Sequence, residues 1–275
     1  MSRQIIAFVG GGNMAASLVG GLIAGGWSPG DIHMAEPRAE RCSELVQRFA
    51  VHVGSSNSEA VASASVVVLA VKPQVMRTVA TELGPVLRAS GALVVSIAAG
   101  VREPDLRRWL GYEAPIIRTM PNTPALVRSG ATALFANPFV TDAQLDLGES
   151  VMRAAGMTLW VQDERLMDVV TALSGSGPAY FFLVMEALEE AGVKLGLERE
   201  TARLLTLETA LGASKMALES SEDPATLRAR VTSPGGTTER AVARLEAGNI
   251  RQTLLEAVEA ARARAVELGD SLGAD

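Results

Sequence analysis

The sequence is poor in the residues on which several common chemistries depend. It has one cysteine, two histidines and only 4% aromatic residues among its 275 residues. A single thiol cannot form an intrachain disulfide, and no Cys/His cluster has the spacing of metal ligands. We therefore expect neither a disulfide nor a metal site. Because His33 and His52 each lie beside a predicted strand, we interpret both as structural or surface residues.

Two further absences concern partners and location. The formal net charge is −6, which argues against general nucleic-acid binding, because that needs a basic surface to neutralise phosphates. The apolar run at 66–71 is far shorter than the roughly 20 residues of a membrane-spanning helix. A strand-like run already begins at Ile5 and leaves no room for a signal peptide. We expect a cytoplasmic protein that binds neither nucleic acid nor a membrane.

Apolar residues, in contrast, make up 48% of the chain, and in the first half they form short runs separated by helical stretches. The runs predicted as strands are 5–9, 32–35, 66–71, 93–97 and 116–119, and helices are predicted at 14–24 and 38–49. Continuous Val, Ile and Leu runs between helices indicate a parallel sheet covered on both faces. With right-handed crossovers this predicts a doubly wound α/β domain over residues 1–162.

The pattern changes after Trp160, because no convincing strand follows. Helices are predicted at 178–191, 199–220, 224–230, 238–247 and 250–268, with proline and glycine at the breaks. Residues 163–275 are therefore predicted to form an all-helical second domain. Its helices carry too few charges to be solvated on every side, so it is either a self-contained bundle or an oligomer interface. We favour the interface.

A glycine-rich segment directly follows the first predicted strand and opens the first helix. Gly10, Gly12 and Ala15 form the pattern G-x-G-x-x-A, in which the residues between them are Gly11, Asn13 and Met14. The first glycine permits a tight turn, the second lets the backbone approach a pyrophosphate, and the alanine permits close helix packing. Free amides at the helix start then bind the phosphates. The alternative is a purely structural glycine turn.

Further cofactor residues are predicted at the ends of the next strands. An acidic side chain such as Glu36 usually binds the ribose of NAD(H), whereas a nearby arginine such as Arg38 accommodates the 2′-phosphate of NADP(H). The segments containing Ala70, Lys72 and Pro73, and later Ala98, follow two other strands at the ligand-binding edge of a parallel sheet. Small residues around Ala98 would let a nicotinamide ring lie against the backbone. Ordinary strand termination is the alternative for both segments.

A second glycine loop interrupts the helical half. Residues 231–239 read Val-Thr-Ser-Pro-Gly-Gly-Thr-Thr-Glu, so Pro-Gly-Gly is flanked by four hydroxyl residues and a new helix begins near Thr238. Such a loop presents free amides at a helix start and favours an anion, which we interpret as a substrate carboxylate. The alternative is a plain helix connection with a threonine cap.

Taken together, these motifs resemble those of the pyrroline-5-carboxylate reductase family. The most specific match is Ser-Pro-Gly-Gly-Thr-Thr at 233–238, followed by Ala241-Val242 and Leu245-Glu246. Other segments agree in order and spacing over nearly the whole chain. They are Gly-Gly-Gly-Asn-Met at 10–14, Ala-Val-Lys-Pro at 70–73, Ser-Ile-Ala-Ala-Gly at 96–100, Met-Pro-Asn-Thr-Pro at 120–124, Leu-Ser-Gly-Ser-Gly-Pro-Ala-Tyr at 173–180 and Gly-Ala-Ser-Lys-Met at 212–216.

The resemblance implies an N-terminal Rossmann domain and a C-terminal helical dimerisation domain. Members of the family form homodimers through interleaved helices and often assemble into rings of dimers, and the substrate pocket lies at the dimer interface. The reaction is reduction of (S)-1-pyrroline-5-carboxylate, a small cyclic imine, to L-proline, the last step of proline biosynthesis. The usual cofactor is NADPH, and many members accept NADH.

The resemblance also implies individual roles. Residues assigned to the cofactor are Gly10, Gly12, Asn13, Met14, Asn57, Ala70, Lys72, Pro73 and Ala98, with Asn57 on the adenosine side. Residues assigned to the substrate are Glu164, Ser233, Gly235, Gly236, Thr237 and Thr238. Two departures from the family pattern matter: Glu36-Pro37-Arg38 replaces a more hydroxyl-rich segment and weakens the expectation of NADPH over NADH, and Arg230 replaces a neutral residue and is expected to add a phosphate contact.

Thr238 is the predicted catalytic residue. In the mechanism that the resemblance implies, its hydroxyl donates a hydrogen bond to the imine nitrogen, while the proton comes ultimately from solvent because a hydroxyl is a poor acid. Two alternatives remain. The first is a related two-domain enzyme, either another imine reductase or a hydroxyacid dehydrogenase. A hydroxyacid dehydrogenase would need Lys194 or Lys215 as its acid and base. A nucleotide-binding redox sensor without turnover is the second.

Overall fold

The computed structural model describes residues 4–274, which form two compact units. The first unit comprises the described residues up to Ser176 together with those from Ala261 onward, and the second unit comprises Gly177–Ala260. The domain boundary predicted from the sequence, between residues 162 and 163, lies before the boundary between these two units at 176–177. It stays a prediction. The first unit gains the segment up to Ser176 because that segment packs against the sheet.

The first unit contains one mostly parallel sheet. Its strands are β1 (Ile6–Val9), β2 (Ile32–Ala35), β3 (His52–Gly54), β4 (Val66–Leu69), β5 (Leu93–Ser96), β6 (Ile116–Met120), β7 (Gly130–Ala136) and β8 (Gly156–Trp160). They lie in the order β3-β2-β1-β4-β5-β6-β7-β8. All neighbouring pairs are parallel except β6 and β7. The predicted doubly wound fold is confirmed, with its topological switch point between β1 and β4.

Helices cover both faces of this sheet. They are α1 (Asn13–Ala24), α2 (Ala39–Phe49), α3 (Asn57–Val61), α4 (Pro73–Ser90), α5 (Glu103–Leu110), α6 (Asp142–Arg153) and α7 (Leu166–Val170), and a short π-helical segment, Thr171–Gly175, follows α7. Alternate residues of β1 enter opposite cores: Ile6 and Phe8 join one buried cluster, and Ala7 and Val9 join the other. This burial on both faces explains the uninterrupted apolar run of the strand.

Three strands were not predicted. β3 is short, and β8 is only partly buried along its length because it lies at the sheet edge. β7 is antiparallel to β6, an arrangement that the parallel pattern of the first five strands does not indicate. The predicted helix at 38–49 is present as α2, in which Leu45 is buried and its neighbour Val46 is 44% exposed.

The second unit is helical throughout, as predicted. Its helices are α8 (Gly177–Lys194), α9 (Arg199–Glu219), α10 (Pro224–Arg230), α11 (Thr237–Ala247) and the first part of α12 (Ile250–Gly273). Few of their side chains are buried in a single chain; in α9 only Ala202 is. Phe181 and Phe182 in α8 are each 64% exposed. The unit therefore has large apolar surfaces that it does not cover itself.

One continuous stretch has the composition of a membrane-spanning helix. Leu166–Lys194 is 29 residues long with a mean hydropathy of 1.2, and 22% of its most apolar window is buried. The expectation from the sequence had considered only shorter apolar runs. An uncovered interface helix and a membrane span share this length and composition.

Candidate active site

The predicted cofactor residues follow strands that end at one edge of the sheet. The last residue of β1, Val9, pairs in register with Ala35 of β2 and with Leu69 of β4, and Leu69 pairs with Ser96 of β5. Since these strands are parallel, the four loops that follow them lie side by side. This carboxyl edge, at the switch point, is where ligands bind in doubly wound sheets.

Gly10 makes the turn out of β1. Its φ is +101°, and a Cβ atom built there would lie 2.6 Å from the Ala70 carbonyl oxygen. Its amide donates a hydrogen bond of 2.8 Å to the Ala35 carbonyl. Only glycine combines this backbone conformation with so close an approach. The turn is thus held by the two strands that flank β1.

The start of α1 is open in the way that a phosphate site requires. Gly12 is the N-cap residue, with extended backbone and no capping side chain. Nothing lies within 4 Å of the position that its Cβ would occupy. The first helical hydrogen bond is that of the Ala16 amide to the Gly12 carbonyl, so the Asn13 and Met14 amides have no acceptor in the part of the chain that the structure describes. The residues present therefore fit a pyrophosphate.

Glu36 and Arg38 lie at the end of β2, and the structure connects them directly. Glu36 is only 4% exposed. Its Oε2 accepts a hydrogen bond of 3.0 Å from the Gly11 amide, and its Oε1 accepts bonds from the Arg38 amide and from Arg38 Nε at 3.1 and 2.8 Å. Burial raises the pKa of Glu36, but these hydrogen bonds outweigh it, and the pKa lies below its ordinary value. The Glu36 carboxylate is thus charged, and both of its oxygens already accept hydrogen bonds from Gly11 and Arg38.

The other predicted cofactor residues also lie near this edge. Lys72 is the exposed N-cap of α4, and Pro73 is its first residue. Ala98 is buried in the loop after β5. Asn57 begins α3, beyond β3, and its Nδ2 donates a 3.2 Å hydrogen bond to Glu82. The structure brings these positions to the same side of the first unit, while their contacts with a cofactor remain predictions.

The second glycine loop is exposed in its own unit. Gly235 has a φ of +71°, which glycine adopts without strain. Its amide donates to Glu239 Oε2 at 2.7 Å, and the Gly236 amide donates to the Ser233 carbonyl at 3.0 Å. Helical hydrogen bonding in α11 begins only at Arg240. The amides left for an anion are therefore those of the helix start, at Thr237 and Thr238, and not those of the two glycines.

One hydroxyl group of this loop forms a hydrogen bond within the described part of the protein, and three do not. Thr232 Oγ1 donates to the Arg228 carbonyl at 2.6 Å. Among residues 4–274, the hydroxyls of Ser233, Thr237 and Thr238 have no hydrogen-bond partner, and no side chain caps α11. Three hydroxyls and a helix start thus remain available together, which is more than a simple helix connection needs.

Glu164 lies in a buried ionic cluster of the first unit. Its Oε1 accepts a hydrogen bond of 2.8 Å from Arg118 Nη1 and one of 2.6 Å from the Glu103 amide. Asp168 lies 3.8 Å from Arg118 Nη2. Arg118 is only 4% exposed and pairs in register with Ser96, the last residue of β5. Glu164 is therefore held beside the carboxyl edge, with one of its oxygens already engaged.

Sequence reasoning missed the partners of Glu164. The available signal was a lone arginine in the apolar strand at 116–119, because a charge in a buried strand requires a counter-charge. Asn137 was missed as well. It is 4% exposed and ties this cluster to the backbone through Glu103 Oε1 and the Ala114 carbonyl.

Several other candidate residues have ordinary surroundings. Lys194 and Lys215 pair loosely with glutamates one helical turn away, and their side chains are 78% and 70% exposed. Arg230 forms an ion pair with Glu222. The rings of His33 and His52 meet edge to face at 5.1 Å on adjacent strands. No group of three potential metal ligands occurs among the residues that the structure describes.

Family models match both halves of the chain. The model for pyrroline-5-carboxylate reductase dimerisation matches residues 164–268. A model described as NADP oxidoreductase coenzyme F420-dependent matches residues 5–100. The second model covers the loop at the start of α1, and the first covers the Pro-Gly-Gly loop and the exposed apolar helices.

Similarity to individual proteins extends over the full length. A pyrroline-5-carboxylate reductase of Pseudomonas aeruginosa is 52% identical over 273 residues, which cover 99% of this chain and 100% of that protein. The solved structure of the enzyme from Coxiella burnetii is 48% identical, with a TM-score of 0.94 over 97% of this chain and 99% of that one. The enzyme of Plasmodium falciparum, solved with NADP bound, is 31% identical, with a TM-score of 0.86 over 98% and 99%. The chain belongs to the pyrroline-5-carboxylate reductase family.

Proposed function

We propose that this protein reduces (S)-1-pyrroline-5-carboxylate to L-proline with NADPH, and with NADH as the alternative cofactor, in the cytoplasm. The observation that carries the proposal is the loop before α11, where free amides and unpaired hydroxyls occur together in an exposed turn. A redox sensor without turnover would not need such a second anion site. The relatives named above support the same reaction.

In this proposal the two glycine loops have different ligands. The Asn13 and Met14 amides hold the cofactor pyrophosphate, since the space at Gly12 lets it approach the backbone. The Thr237 and Thr238 amides hold the substrate carboxylate. When bound, the reduced nicotinamide supplies the hydride. Binding energy from the carboxylate is used to orient the imine, which accounts for most of the rate enhancement.

Thr238 acts on the imine nitrogen. Its hydroxyl has no partner among residues 4–274 and is half-buried at the second position of α11. It can therefore donate a hydrogen bond to the ring nitrogen and fix its orientation. Because a threonine hydroxyl is a weak acid, it relays or positions a proton that solvent provides. This chemistry requires neither a lysine base nor a metal ligand.

The decisive experiment follows the absorbance of the reduced nicotinamide with and without the cyclic imine. Oxidation that depends on the imine and yields proline is the expected result. Cofactor binding without oxidation would instead favour the sensor. Turnover of hydroxyacids without any turnover of the imine would favour the dehydrogenase, in which Lys194 or Lys215 would have to act.

We also propose a homodimer formed by the helical unit, which assembles further into a ring of dimers. The exposed phenylalanines of α8 support it, as does the match to a dimerisation model. Pairing with a second copy would also cover the apolar Leu166–Lys194 stretch without a membrane.

Replacing Phe181 and Phe182 together by glutamate is expected to convert the dimer to monomers, because two charges would be buried without partners. Sedimentation of the purified protein measures this. The matched control is Val127→Glu, which changes an apolar residue that is 74% exposed on the first unit and should leave the assembly intact. An unchanged dimer in the double variant would contradict the proposed interface.

A further inference from the structure

The buried carboxylate at the end of β2 contacts two separate parts of the cofactor edge. Glu36 Oε2 accepts from the Gly11 amide, in the middle of the phosphate-binding loop, and Oε1 accepts two hydrogen bonds from Arg38. A ribose hydroxyl bound by Glu36 would have to reach a side chain that is only 5% exposed and already accepts these donors. The geometry therefore disfavours the usual role of an acidic residue at this position.

Gly11 is held from both sides. A Cβ atom at Gly11 would lie 3.0 Å from Glu36 Oε2 and 2.7 Å from Leu45 Cδ1, so the loop backbone packs directly on the β2–α2 segment. The Gly11 carbonyl accepts a hydrogen bond of 2.7 Å from Arg41 Nε. The Gly11 amide and carbonyl are thus fixed by Glu36 and Arg41, and the position of the phosphate loop depends on this segment.

Arg38, unlike Glu36, is exposed to solvent. Its side chain is 69% exposed although its Nε is bound to Glu36. Among the described residues its two terminal nitrogens have no hydrogen-bond partner. A guanidinium fixed at Nε with both terminal nitrogens free is arranged for a phosphate, which accepts paired hydrogen bonds.

From these contacts we infer that Glu36 is a positioning residue for NADPH, which holds the phosphate loop through Gly11 and presents Arg38 to the 2′-phosphate, and that it is not a ribose ligand. The inference rests on the proposed use of a nicotinamide dinucleotide and adds how its phosphorylated form is selected. The charge of Glu36 also serves this arrangement, because a carboxylate accepts all three donors whereas a neutral amide cannot.

The test compares the dissociation constants of NADPH and NADH for the full-length protein and for Glu36→Gln, measured by fluorescence titration. The glutamine must turn its NH₂ group toward either Gly11, which loses one hydrogen bond, or Arg38, which loses two. We expect NADPH binding to weaken about tenfold and NADH binding by a smaller factor, since loss of a hydrogen bond to a charged group has about this effect. A ribose ligand would give the reverse, with NADH affected more than NADPH.

Arg38→Ala is the second variant and keeps the test valid if Glu36→Gln does not fold. It should weaken NADPH about tenfold and leave NADH within about twofold. Equal weakening of both cofactors in Glu36→Gln, selective loss of NADH, or unchanged NADPH binding in Arg38→Ala would each overturn the inference. Titration needs no imine, so failure of the wild type to turn over the imine would refute the proposed reaction separately.

Discussion

Thr238→Ala is expected to lower kcat for imine reduction by about 100-fold, while the affinity for NADPH stays within about twofold, because one positioned donor at a reacting atom contributes roughly this much. The Thr238 hydroxyl has no partner among residues 4–274, so its removal should leave the fold undisturbed. Steady-state kinetics with saturating imine, together with cofactor titration, measure the two effects separately.

Thr232→Ala is the matched control for this prediction. It removes a hydroxyl from the same loop, but one that is already bound to the Arg228 carbonyl. We expect it to reduce stability slightly and to leave kcat within a fewfold of the wild type. If Thr238→Ala instead reduced turnover and NADPH affinity equally, Thr238 would belong to the cofactor site and the proposed mechanism would be wrong.

Arg118→Met is expected to lower the free energy of unfolding by about 3–5 kcal/mol, the usual cost of leaving a buried charge without its partner. Arg118 is 4% exposed, and its removal would leave Glu164 and Asp168 without their counter-ion. Chemical denaturation at a fixed protein concentration measures the loss, since oligomerisation also changes apparent stability.

Arg264→Met serves as the control, because Arg264 and its partner Glu267 are 66% and 63% exposed. An exposed pair contributes about 0–1 kcal/mol. The double variant Arg118→Met with Glu164→Gln should recover part of the loss, as it removes one of the two unpaired carboxylates. A loss in Arg118→Met no larger than in the control would show that the cluster contributes little to stability.

The strands that were predicted correctly share a local cause. The runs in β1, β4 and β5 are buried on both faces, so each is a short, continuous apolar run, and its length and flanking residues distinguish it from a helix. β8 was missed because an edge strand is only partly buried and its apolar pattern is weak. The antiparallel direction of β7 depends on its neighbour β6 and is not encoded in its own residues.

The candidate site divides in the same way. Glycine spacing after a strand was enough to predict a phosphate loop at 10–14, because the required backbone conformation excludes other residues at Gly10. The same reasoning predicted an anion site at 231–239. Glycine spacing could not show that the Gly235 and Gly236 amides donate to acceptors within the loop itself, because those acceptors are positioned only by the folded turn.

By itself, the sequence determined the buried strands β1, β2, β4, β5 and β6, the helical second half, the two glycine loops and the family, because each depends on residues that are neighbours along the chain. The tertiary structure decided which donors those loops keep free, which charges neutralise Arg118, and that Glu36 faces Gly11 and Arg38. These contacts join residues up to 50 positions apart. Partners so distant are brought together only when the strands align, and burial then gives their hydrogen bonds and charges their strength.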